Sequence, residues 1–144
     1  MDNFDKKPIL QNFALCMNSS HDAIRGLCVE NVLSYLNPEF VPGQFSFCIV
    51  FTIINLEKDR KYSLHIRMEH KDSSEEVLKM DTDEMFFSTI SNNNIPQVYN
   101  GVNVSIDCKN VKFVKAGEYI LKITIGEDML KETSIYVKGK NENA

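Results

Sequence analysis

The side chains able to do chemistry are few and scattered. The three histidines are His21, His65 and His70. His21 lies in a stretch that reads as a polar loop. His65 and His70 fall on one alternating segment with opposite parity. They face opposite sides of a strand and cannot grip one metal ion together. No H-E-x-x-H, no G-x-S-x-G and no glycine-rich phosphate loop occurs. Carboxylates are denser, with Glu69, Glu75, Glu76, Asp81, Asp83 and Glu84 in one region. Paired acids can serve a hydrolase or a calcium site. Asp81-Thr82-Asp83-Glu84 lacks the spacing and the glycine of a calcium loop, so a solvated charged face is expected. The cysteines, Cys16, Cys28, Cys48 and Cys108, form no C-x-x-C pair. Cys16 or Cys28 would need a neighbouring base to act as a nucleophile. Cys48 and Cys108 sit in apolar segments and read as small core residues. A non-catalytic chain is expected, with no catalytic residue, no metal and no cofactor.

The elements that carry these residues are strands. From Phe45 to Ile54 the chain alternates, with Phe45, Phe47, Ile49, Phe51 and Ile53 on one side. Tyr62 to His70 alternates again, with Tyr62, Leu64, Ile66 and Met68 inward and His65, Arg67 and Glu69 outward. Val77 to Met80 is a short return strand after a polar turn. Val102, Val104, Ile106 and Cys108 alternate, and Val111 and Phe113 resume on the other parity. That switch predicts a bulge at Lys109-Asn110. Tyr119 to Ile125 and Thr133 to Val137 form a closing hairpin around Gly126. Ile9 to Met17 reads as a strand with Leu10, Phe13 and Leu15 inward, and residues 18–26 read as a polar loop. Leu27 to Leu36 fits a strand better than a helix, and the choice stays open. Ser91 to Pro96 reads as a loop, and residues 139–144 as a frayed polar tail. The pattern predicts an all-β chain, an antiparallel β-sandwich of about seven to eight strands, immunoglobulin-like or jelly-roll-like, in one domain spanning residues 1–144.

Composition bounds the partners. The chain has 144 residues, 25% of them charged, with a formal charge of −4. The surface is not basic enough for nucleic acid or an anionic membrane to be the main partner. The acidic start is unlike an export signal, so a cytoplasmic location and reduced thiols are expected.

Some apolar residues have no obvious place. The Phe45–Ile54 segment is apolar on its second face too, at Cys48, Val50 and Ile54, whereas a sandwich buries one face of each strand. Either the N-terminal segment covers that face or a partner does. Met85, Phe86 and Phe87 stand in an irregular segment beside Asp83 and Glu84. They either tuck under the sandwich or form a partner-binding patch with an acidic rim.

Two stretches carry a resemblance: Pro38-Glu39-Phe40-Val41-Pro42-Gly43-Gln44-Phe45-Ser46-Phe47, and the ending from Gly117-Glu118-Tyr119 through Tyr136-Val137-Lys138-Gly139-Lys140. The chain resembles a family of small uncharacterised β-sandwich proteins of bacteria and their phages or prophages. The resemblance implies a sandwich and an origin in a mobile element, with no catalytic residues to carry over. The expected function is protein–protein interaction, with inhibition of a host defence protein as its sharper form. The alternatives are a virion or assembly component that self-associates, and a small-ligand binder or hydrolase with a carboxylate site.

Overall fold

The structure, a computed structural model, describes residues 7–87 and 96–141. The alternating segments form eight strands among the described residues: β1 (Ile9–Asp22), β2 (Gly26–Val32), β3 (Gly43–Ile54), β4 (Leu64–His70), β5 (Glu76–Asp81), β6 (Val102–Phe113), β7 (Gly117–Ile125) and β8 (Asp128–Val137). They make two four-stranded antiparallel sheets, ordered β2-β1-β3-β6 and β5-β4-β7-β8. The chain crosses between sheets after β3, β5 and β6, which gives an immunoglobulin-like Greek key. Tyr119, near the start of β7, donates its hydroxyl to the Lys115 carbonyl at 2.6 Å, the tyrosine corner found in such sandwiches. The described residues contain a 3₁₀ turn, Gln97–Tyr99, and no helix long and apolar enough to cross a membrane.

Alternation fills the core. Phe47, Ile49, Phe51 and Ile53 of β3 pack in one cluster with Leu64, Ile66 and Met68 of β4 and with Leu121, Ile123 and Ile125 of β7. Leu15 is buried there, while Leu10 and Phe13 are half-buried at its margin. The bulge read from the parity switch is present. Phe47 pairs with Cys108 but Phe45 pairs with Val111, so β6 carries one residue more than β3. Asn110 turns the chain with a φ of 54° and donates its N–H to the Ser46 hydroxyl at 2.8 Å. Cys108, Val111 and Phe113 thereby all stay buried.

Several expectations need correction. The polar loop expected over residues 18–26 is mostly strand. β1 runs on to Asp22, taking His21 with it, and only residues 23–25 turn. Asp22 Oδ1 accepts the N–H groups of Ile24 and Arg25 at 2.8 and 3.1 Å, which fixes that turn. This stretch is held by backbone pairing with β2, so it shows no apolar alternation to read. Leu27–Leu36 is strand only as far as Val32; Leu36 then makes a single parallel bridge to Val137 and is fully buried. The strand expected from Tyr62 starts at Leu64, with Tyr62 in an isolated bridge to Met85. At the C-terminus the Lys140 N–H reaches the Pro38 carbonyl at 2.7 Å and the Asn141 N–H reaches Glu39 at 3.3 Å. The rest of the expected tail, residues 142–144, lies outside the described residues, as do residues 88–95 with most of the expected Ser91–Pro96 loop.

At Cys48 and Val50 the second face of β3 is covered by the chain itself, while Ile54 is half-buried. Pairing between β1 and β3 ends at Cys16 opposite Cys48. Beyond that point the β1–β2 hairpin curls over the outer face. The Ser19 hydroxyl bonds the Ser105 hydroxyl on β6, on the far side of β3. Leu27 and Ala14 pack against a separate buried cluster of Cys16, Cys48 and Val50. Cys48 therefore belongs to this outer cluster and not to the sandwich interior that holds Cys108.

Candidate functional site

The segment after β5 is tied to the strap before β4. Tyr62 and Met85 exchange both backbone hydrogen bonds, at 2.8 and 2.9 Å. The Leu64 N–H is received by the Thr82 hydroxyl at 2.9 Å, and Leu64 returns its carbonyl to the Thr82 N–H. This bracing divides the apolar trio. Phe87 turns inward and stacks on Tyr62 with ring centroids 6.4 Å apart. Met85 and Phe86 stay outward, 42% and 57% exposed. The Lys61 ammonium lies 5.5 Å above the Phe86 ring, and Arg60 lies 5.1 Å from the Tyr62 ring. Asp83 and Glu84 are exposed beside them. Val98 and Tyr99, in the segment before β6, are also exposed. That segment is pinned to the loop after β3 by the Asn55 N–H on the Val98 carbonyl at 3.2 Å.

A polar array that the sequence did not reveal lies on the outer face of the second sheet. Register places Asp81 of β5 directly opposite His65 of β4. His65 Nδ1 is 2.6 Å from Asp81 Oδ1, and His65 Nε2 is 3.1 Å from Ser63 Oγ. A carboxylate only accepts, so Nδ1 carries the proton, and in the neutral ring Nε2 accepts from the Ser63 hydroxyl. Arg67 Nη2 donates to the same Asp81 oxygen at 2.8 Å, and Arg67 Nη1 donates to the Met80 carbonyl at 3.1 Å. His65, foremost, and then Arg67 hold the Asp81 carboxyl below its ordinary range. Glu76 lies 4.0 Å from Arg67, and Glu69 lies 3.9 Å from Lys122. Much of the expected charged face is thus a lattice of cross-strand pairs. Beside Ser63 opens a cleft of about 250 Å³ lined by Arg60, Lys61, Gly126 and Glu127.

By residue type each histidine reads as a lone surface residue, but His70 is buried. Its Nδ1 accepts the N–H groups of Asp72 and Ser73 at 3.2 and 3.3 Å, and Nε2 donates to the Ala116 carbonyl at 3.2 Å. The ring meets Tyr119 edge-on at 4.9 Å, so it closes the turn between β4 and β5. The four cysteines are free thiols. Burial, then the Asp107 carboxylate 3.0 Å away, pushes the Cys48 thiol up to about 11. Burial pushes Cys108 to about 12. Among the described residues no three His, Cys, Asp or Glu side chains gather to hold a metal ion.

Over residues 11–138 the chain matches the family described as Family of unknown function (DUF6941). No curated protein matches. Among solved structures, it is similar to an immunoglobulin-like protein from Pseudomonas aeruginosa at 11% identity and a TM-score of 0.44, covering 92% of this chain and 97% of that one. It is also similar to a β-glucosidase from Listeria innocua, solved in complex with gluconolactone, at 12% identity and a TM-score of 0.46. That match covers 89% of this chain and 16% of the enzyme.

Proposed function

The chain belongs to this family of unknown function, and we propose that it works as a protein-interaction module that docks another protein through Met85 and Phe86. One observation carries the reading: a methionine and a phenylalanine are held outward on a braced segment whose neighbour Phe87 is anchored inward on Tyr62. A braced segment gives up little conformational entropy on binding, which favours affinity. Burying a Phe side chain contributes roughly 1.5–3 kcal/mol, and a few such anchors commonly dominate an interface. Asp83 and Glu84 form the rim and tune association rate and salt dependence. The bacterial and phage origin implied by the sequence resemblance makes a host defence protein the partner we favour.

Affinity capture from the source organism, with wild-type and Phe86→Ser baits, tests this. A protein retained by wild type and lost from a Phe86→Ser bait of unchanged melting temperature supports the reading. Identical capture by both baits refutes it. Self-association into a shell or ring is the rival reading, and light scattering on the purified chain separates it, because the docking reading expects a monomer.

A further inference from the structure

We propose that Ser63 is an activated nucleophile and that Ser63, His65 and Asp81 give this chain an acyl-transfer activity toward short-chain esters. The inference is independent of the docking surface. It rests on which nitrogen bonds which partner: the carboxylate takes Nδ1 at 2.6 Å and the serine takes Nε2 at 3.1 Å. That is the order in which an acid orients an imidazole and the imidazole activates a hydroxyl. The fold supplies it from two neighbouring strands. Period-two alternation puts Ser63 and His65 on one face, and the register puts Asp81 opposite His65.

The array is fixed before any substrate arrives. The Ser63 carbonyl accepts the Gly126 N–H at 2.8 Å, and the adjacent Leu64 N–H is held by Thr82. Arg67 Nη2 donates to the same Asp81 oxygen that His65 bonds, at 2.8 Å, and holds the carboxylate in place. The imidazole side chain is a third exposed, so water reaches it for the second half of the reaction. The guanidinium also shares the carboxylate charge, so Asp81 helps an imidazolium less than a lone carboxylate would. Turnover is accordingly slow.

The chemistry balances without a cofactor. Ser63 Oγ adds to the ester carbonyl carbon while its proton passes to His65 Nε2. The tetrahedral adduct collapses, the ester C–O bond breaks, and the imidazolium returns the proton to the leaving alcohol. Water then attacks the acyl-serine, giving its proton to Nε2. The acid departs as Ser63 recovers the proton. The cleft beside Ser63, lined by Arg60, Lys61 and Glu127, is polar and small. It suits a short acyl chain and a polar alcohol; its wall carries two cations, Arg60 and Lys61, beside Glu84, Glu127 and Asp128, and Lys61 can meet charge developing on the carbonyl oxygen.

The test is covalent labelling of the purified full chain with a fluorophosphonate probe, read by peptide mass, together with hydrolysis of p-nitrophenyl acetate. The expected result is labelling at Ser63, its loss in Ser63→Ala, and a rate lower by roughly 100-fold or more in His65→Gln. The proposal is overturned by wild type labelled no faster than the heat-unfolded chain, or by Ser63 labelled equally fast in His65→Gln. If the array only clasps β4 to β5, His65→Gln lowers the melting temperature and no labelling of Ser63 occurs in either protein, which also overturns it.

Discussion

The two sheets use their outer faces in opposite ways. The first sheet carries Cys16, Cys48 and Val50 outward, and its own β1–β2 hairpin folds over them. The second carries His65, Arg67, Glu69 and Lys122 outward, and these bond across strands in the open. Both come from the same alternating rule. The difference lies in what the outward residues need. Apolar side chains require a cover, and a strand pair long enough to fold back supplies one. Charged side chains require only each other and water. A face that needs no cover can leave a histidine such as His65 a third exposed.

Mutations sharpen this contrast. Phe47→Ala, in the shared interior, should cost ~3–5 kcal/mol by urea unfolding. Val50→Ala, beneath the hairpin, should cost about 1.5 kcal/mol, near two methylene groups of burial. A cost under about 0.5 kcal/mol there would mean that the face is open to solvent. Arg67→Ala, on the charged face, should cost about 1 kcal/mol or less despite its several bonds, because exposed ion pairs stabilise little. A loss matching that of Phe47 would break the comparison.

Acidity should produce a smaller effect confined to the exposed groups. The Asp81 carboxyl is held low chiefly by His65 and that of Glu118 chiefly by Ser134. A carboxyl lowered in the fold stabilises above its unfolded value of about 4 and loses that contribution as pH falls through its folded value. Urea midpoints should therefore decline below about pH 4, and Arg67→Ala should decline less steeply. A steeper decline in Arg67→Ala would contradict the pairing of Asp81.

What the sequence made legible was whatever follows from parity along one strand. The inward residues of β3, β4 and β7 were readable, and so was the bulge at Lys109-Asn110, because a bulge reverses parity. What depends on register between strands was not readable. Nothing local says that Asp81 meets His65, or that Ser19 reaches across β3 to Ser105. Strand that lacks a core-facing side, as from Asn18 to Asp22, looks like loop. The burial of His70 did follow its parity with Leu64, Ile66 and Met68, and was obscured only by its polar side chain. For the Met85 segment, composition marked an apolar trio, and only the Tyr62 bridge determines which member turns inward.

That division is the hinge of the account and one pair of melting curves tests it. Phe86→Ser should leave the protein within about 0.5 kcal/mol of wild type, as a surface change does. Phe87→Ser should cost at least ~2 kcal/mol, because it removes the ring stacked on Tyr62 and puts a hydroxyl in its place. Equal losses at both positions would contradict the account and return the whole trio to the core.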